Sequence, residues 1–151
     1  MKNILLSIFL LSISFSIFAQ EEVVAEKADT TEDKVFRIVE IMPLFSSECI
    51  NLNSVVKQND CSYDALSNYI KGIQYSKDSI QKNETKKAYV QFIIDKEANV
   101  TEVILIKKTG SVYFDNLAFN HIKNMPKWAK APMEKGEKVK LKLLIPISFA
   151  K

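Results

Sequence analysis

Six apolar side chains at every second position near the C-terminus limit the fold more than any other feature. Val139, Leu141, Leu143, Ile145, Ile147 and Phe149 alternate with Lys140, Lys142, Leu144, Pro146 and Ser148, and Lys138 leads the run. Successive side chains of a strand point to opposite faces. The spacing therefore predicts one long β-strand with its odd-numbered face buried and its even-numbered face open to water. Pro146 has no N–H to give to a neighbouring strand, which suits an edge rather than the middle of a sheet. Lys138, Lys140 and Lys142 are the kind of charge that edge strands carry against wrong pairing. The expectation is a rim strand with one row of backbone groups unpaired.

The rest of the chain supplies the layers this strand needs. Val35 to Ile41 is β-branched and apolar, is bounded by Pro43, and reads as a first strand. Phe45 to Cys61 is polar and reads as irregular. Ser62 then has the character of an N-cap, and Leu66, Tyr69, Ile70 and Ile73 fall at helical spacing before or beside Gly72, a helix-ending residue. Tyr75 to Lys87 reads as a loop with a short helical turn. Ala88–Asp95 and Val100–Lys107 read as a hairpin, with Asn99 the expected positive-φ residue of its turn. Phe114, Leu117, Ala118, Ile122 and Met125 form a second helical stripe, which Pro126 stops. Strand, helix, hairpin, helix, strand is most economically an α+β fold. It has two layers: a small, mainly antiparallel sheet with both helices on one face.

The N-terminus reads as an address. Met1-Lys2-Asn3 is followed by an apolar run over 4–18 interrupted by serines, then Ala19-Gln20 and an acidic pair, Glu21-Glu22. That is the order of a secretory signal peptide over 1–19, cut between Ala19 and Gln20. The alternative is an uncleaved inner-membrane anchor formed by 4–18, a run shorter than the roughly 20 residues of a spanning helix. Residues 20–34 are rich in Glu, Ala, Asp, Thr and Lys and read as a flexible leader to one domain over 35–151. Export implies an oxidising compartment. The sequence holds two Cys, Cys49 and Cys61, and an even count in an exported chain favours a structural disulfide between them.

The composition argues against most chemistry. Three Gly leave little for a phosphate-cradling loop, and a single His, His121, leaves little for metal or Ser/His sites. No nucleophile–base pair stands out, so the expectation is no enzyme, no catalytic residue, no metal, no cofactor and no small-molecule substrate. Asp95 and Asp115 read as turn and helix-start residues, and Trp128 as a core plug. Charge is uneven. Residues 20–84 carry seven bases and twelve acids, and residues 85–151 carry thirteen bases and six acids. Such a split can steer an acidic partner. Without aromatics interleaved among the Lys, it does not form a nucleic-acid surface.

Several fragments, in this order and spacing, resemble the C-terminal domain of TonB, in the short version common in Bacteroidetes-type proteins. They are Tyr89-Val90-Gln91-Phe92-Ile93-Ile94-Asp95, Val100-Thr101-Glu102-Val103, Phe114-Asp115-Asn116-Leu117-Ala118 and Met125-Pro126-Lys127-Trp128. Gly136, Val139 and Ile145-Pro146-Ile147-Ser148-Phe149 follow, and Val39-Glu40-Ile41-Met42-Pro43 resembles the lead-in of that subgroup. The chain departs from the family at Tyr75-Ser76, where Tyr-Pro is usual, and at Ala98-Asn99, where Gly is common. The resemblance implies a periplasmic module that grips plug peptides of TonB-dependent outer-membrane transporters by adding them as a strand. It implies the C-terminal strand as the receiving edge, with Lys138, Val139, Lys140, Leu141, Lys142, Leu143 and Leu144 as the docking stretch. A strand-paired homodimer is a second use of such an edge. Energy transduction by this chain alone is not expected, because residues 20–34 reach at most about 50 Å when extended. The competing reading is a stand-alone structural domain that reuses the fold and binds no transporter.

Overall fold

The computed structural model describes residues 34–82 and 84–151. The expected cleavage position Ala19–Gln20, the apolar run 4–18 and all of the leader except Lys34 lie outside them. The elements are β1 (Val35–Phe36), α1 (Val55–Lys71), β2 (Thr85–Ile94), β3 (Val100–Lys107), α2 (Val112–Lys123), β4 (Met133–Glu134), β5 (Glu137–Lys138) and β6 (Lys140–Ala150). The main sheet has the order β1-β6-β2-β3. β6 and β2 pair antiparallel along their length, from Thr85 opposite Ala150 to Ile94 opposite Leu141. β3 pairs antiparallel with the other side of β2. β1 is parallel to β6 but pairs only with Lys140 and Leu141. A separate hairpin joins β4 to β5 through Lys135 and Gly136, both at positive φ.

Alternation on the strands builds the core. Ala88, Val90, Phe92 and Ile94 of β2 face the same side as Ile147 and Phe149 of β6, and all are buried. Against them pack Phe114, Ala118 and Ile122 of α2, and Leu66, Tyr69 and Ile70 of α1. Both helices thus cover one face of a mainly antiparallel sheet, which is the expected α+β arrangement. Phe114 and Phe149 rings lie 4.8 Å apart at its centre.

Local details differ from the sequence-based expectations for identifiable reasons. The first strand was expected over Val35–Ile41 but ends at Phe36. The chain bends at Arg37-Ile38, and Ile38 is 86% exposed. Only Ile41 returns to a bridge, with Met133. The first helix starts at Val55, not after Ser62. Ser54 is the true N-cap, its hydroxyl accepting from the Lys57 N–H at 3.2 Å. Ser62 lies inside the helix, buried. Its hydroxyl accepts from the Phe45 N–H at 2.8 Å and so ties the helix to the preceding loop. Gly72 does end α1, but at φ −72°, a right-handed value. In the β2–β3 turn, positive φ falls on Ala98 (66°) rather than Asn99. Asp95 Oδ1 accepts from the N–H groups of Glu97 and Asn99, both at 2.8 Å, which fixes Asn99 and leaves the sharp corner to its neighbour.

Candidate functional site

Strand alternation also decides which backbone groups of β6 are available. In an antiparallel ladder a residue directs both its N–H and its C=O to the same side, and the side alternates along the strand. Pro146 has no N–H, yet the ladder with β2 runs straight through it, opposite Tyr89. Its backbone therefore faces away from β2, and so do those of Lys142, Leu144, Ser148 and Ala150. Ala150 confirms the assignment. Its N–H donates to Tyr75 Oη at 3.0 Å and its carbonyl accepts from the same hydroxyl at 2.8 Å, on the side away from β2.

β1 covers the start of this row and Tyr75 closes its end. Between them, from Lys142 to Ser148, no strand of the described residues pairs with the outer side of β6. The docking stretch expected from sequence, 138–144, overlaps this open row only in part. Lys138 belongs to β5 and pairs with Met133. The Val139 N–H donates to the Pro132 carbonyl at 3.1 Å. Lys140 and Leu141 are opposite Val35 and Phe36. Of the seven residues 138–144, only Lys142, Leu143 and Leu144 stand on the open stretch, which then continues to Ser148. The side-chain pattern is as expected: Val139, Leu141, Ile147 and Phe149 are buried, and Leu144, Pro146 and Ser148 are exposed.

Beside the open stretch, on the helical side of the sheet, lie two adjoining cavities. One of about 270 Å³ is lined by Leu66, Ile70, Lys71, Ile145, Pro146 and Ser148. The other, of about 250 Å³, is lined among others by Met42, Tyr63, Trp128, Leu143 and Leu144. Tyr63, Leu66 and Ile145 border both. The helical wall consists of Asn59, Ser62, Tyr63, Leu66, Ser67, Ile70 and Lys71, a single stripe of α1 at i, i+3, i+4 spacing. That stripe has no carboxylate and one cation, Lys71. Asp60 and Asp64 fall on other faces. Most of this wall lies in the helix expected from sequence after Ser62, but periodicity does not show that the helix stands over the edge of β6.

α1 is held over the edge by more than its own packing. Cys49 and Cys61 are bridged, with Cα atoms 5.6 Å apart, as expected. Gln58 Nε2 donates to the carbonyls of Ile50 and Leu52 at 2.9 and 3.0 Å. Further along, the Tyr69 hydroxyl donates to the His121 carbonyl, the His121 Nε2–H donates to the Tyr69 carbonyl, both at 2.9 Å, and the two rings stack at 4.2 Å. Burial raises the Tyr69 hydroxyl above the ordinary tyrosine value. His121 is thus a clasp between the helices.

The remaining residues singled out from sequence are structural. Trp128 is buried among Phe45 and Phe92, and its indole N–H donates to Met125 Sδ at 3.3 Å. Asp115 opens α2 by accepting from the N–H and hydroxyl of Thr109 at 2.7 and 2.8 Å. Asp95 builds the hairpin turn described above. Among the described residues, no group of His, Cys, Asp and Glu is placed to hold a metal ion. No helix among them is long and apolar enough to cross a membrane.

The family model for the C-terminal part of the Gram-negative bacterial TonB protein matches residues 71–150. That span runs from the last residue of α1 through β6. It leaves β1, the disulfide and nearly all of α1 outside. No curated protein and no solved structure matches the chain. With the match covering more than half of the sequence and the sheet order and helix placement in accord with the resemblance read from its residues, the chain belongs to the TonB C-terminal domain family of transport-associated modules.

Proposed function

We propose that this domain binds an extended, periplasm-exposed segment of a TonB-dependent outer-membrane transporter by taking it up as a strand on β6. The observation that carries the reading is the open row from Lys142 to Ser148, bounded by β1 at one end and by Tyr75 at the other. An added strand satisfies backbone groups that water otherwise serves, so main-chain bonds supply affinity and side chains tune it. Lys142, and Arg37 beside it over Gln91 and Leu144, give the rim positive charge that favours an acidic segment. Export by residues 1–19, cut between Ala19 and Gln20, belongs to the same proposal and puts the domain in the periplasm.

Leu144→Pro tests the reading. Leu144 is exposed and its N–H faces outward, so proline removes one donor from the open row without cutting the ladder to β2. Transporter plug peptides should co-purify with the parent and lose most of their binding to the variant, while its circular dichroism stays unchanged. A folded variant that binds as well as the parent rules out strand addition here. If neither protein binds, the stand-alone structural reading takes its place. A second copy of the chain offers the same edge. Sedimentation of the parent and of Leu144→Pro shows whether self-pairing competes with peptide.

A further inference from the structure

The face of the main sheet away from the helices has no layer over it. Strand alternation puts Lys87, Tyr89, Gln91 and Ile93 of β2 there, since Ala88, Val90, Phe92 and Ile94 face the core. Pairing extends each row across the sheet. Pro146 and Lys107 stand either side of Tyr89, Leu144 and Ile104 either side of Gln91, and Lys142 and Thr101 either side of Ile93. Leu144 (55%) and Ile104 (49%) are exposed apolar side chains. Arg37, Gln91, Lys142 and Leu144 border a hollow of about 410 Å³ on this side.

The same face is cationic. β2, β3 and β6 together carry five Lys and one acid, Glu102. Lys86 is paired with Glu84, but Arg37, Lys87, Lys107 and Lys142 form no ion pair among the described residues. The chain itself holds the complement. Residues 20–33 carry six acids and one base, Lys27, together with Val23 and Val24. They join the domain at Lys34, directly before β1, the strand next to β6. Fourteen residues reach about 45 Å when extended, and four strands set about 4.8 Å apart span about 15 Å, so this segment can cross the whole face.

We propose that the leader, residues 20–33, docks on this face, with its carboxylates against Arg37, Lys87, Lys107 and Lys142 and with Val23-Val24 over the row of Leu144, Gln91 and Ile104. Exposed ion pairs are weak singly, so the same segment as a free peptide would hold poorly. The tether supplies an effective concentration of about millimolar, which lets several weak contacts act together. The docking does not depend on strand addition at β6, but Lys142 and Leu144 belong to both surfaces. A docked leader therefore stands over the rim of the open row, and raising the salt clears it.

The sample is the exported chain, beginning at Gln20. A nitroxide on Val24→Cys, attached after the Cys49–Cys61 bridge has formed, should broaden the amide signals of Gln91 and Ile104 in low salt. It should spare Asp64 on α1, at the other side of the sheet. Going from about 0.01 M to about 1 M salt cuts the screening length from about 30 Å to about 3 Å and should reduce the broadening about threefold or more. Neutralising the leader by Glu21→Gln, Glu22→Gln, Glu26→Gln, Asp29→Asn, Glu32→Gln and Asp33→Asn should do the same at low salt. So should Lys87→Glu with Lys107→Glu, two exposed cations on β2 and β3. Equal broadening of Gln91, Ile104 and Asp64, or broadening that ignores salt and these substitutions, overturns the proposal. Broadening that rises with protein concentration assigns the face to a second copy and overturns it too. If Gln91 and Ile104 respond only when phosphatidylglycerol vesicles are added, the occupant is lipid and not the leader.

Discussion

The Tyr75 hydroxyl and the Ala150 backbone satisfy one another twice over, the N–H at 3.0 Å and the carbonyl at 2.8 Å, and so seal the end of the sheet edge. The Tyr75 ring stands edge-on to Phe114 at 5.9 Å and to Phe149 at 5.1 Å, so the hydroxyl is delivered by a ring locked into the core. Tyr75→Phe keeps that packing and removes only the two hydrogen bonds. The expected cost is about 1 kcal/mol, since the site is exposed and water replaces the hydroxyl. Amide exchange at Ala150 should quicken while that of Val90, deep in the ladder, does not. Unchanged exchange at Ala150 would show that the seal is not made in solution.

The Cys49–Cys61 bridge spans 12 residues and holds the first turns of α1, where Val55 (60%) and Val56 (69%) are exposed and make little core. Intact mass without reduction should show the loss of two hydrogens. Cys49→Ser with Cys61→Ser should lower stability by about 3 kcal/mol in urea denaturation, from the greater freedom of the unfolded chain. Helical circular dichroism should fall with it, because little else holds those turns. A variant as stable and as helical as the parent would refute this account of α1.

That weakly packed start explains what the sequence concealed. β6 was legible because every odd side chain from Val139 to Phe149 meets the core, and burial writes itself as period two. α1 from Leu66 onward was legible for the same reason. Its beginning was not. Residues 55–60 bury no side chain fully and are fixed by the Ser54 cap, the Gln58 side chain and the disulfide, none of which produces an apolar period. The free edge was half legible. Pro146 and the lysines marked the strand, but nothing in residues 138–141 announces that β5, Pro132 and β1 already occupy that part. The cavities were not legible at all, because a sequence shows which helix face is apolar but not the gap left between that face and a sheet edge.

Residues 1–20 make a prediction of their own. The serine-studded run ending in Ala19 motivates export with removal of the run, so the native protein should begin at or near Gln20. N-terminal sequencing of protein from a periplasmic extract decides it. An intact Met1 found in inner-membrane fractions would mean that 4–18 is an anchor instead.

Glu102 stands at φ 48° in the middle of β3, a conformation that costs a side-chain-bearing residue about 1 kcal/mol or more. The pairing shows why. Gln91 is opposite Ile104 and Ile93 is opposite Thr101, so two residues of β3, Glu102 and Val103, answer the single Phe92. This is a β-bulge, and it returns Val103 to the core side while Glu102 absorbs the extra turn in solvent. Glycine takes positive φ without strain but loses more freedom on folding, so Glu102→Gly should gain at most about 1 kcal/mol. Glu102→Val should lose more than about 1 kcal/mol, because a β-branched side chain fits that conformation worst. β3 is at the far side of the sheet from the open row of β6, so neither change should alter peptide binding. Urea midpoints compare the two variants with the parent. If valine proves as well tolerated as glycine, the bulge is not held at positive φ, and the register of β3 must be redrawn.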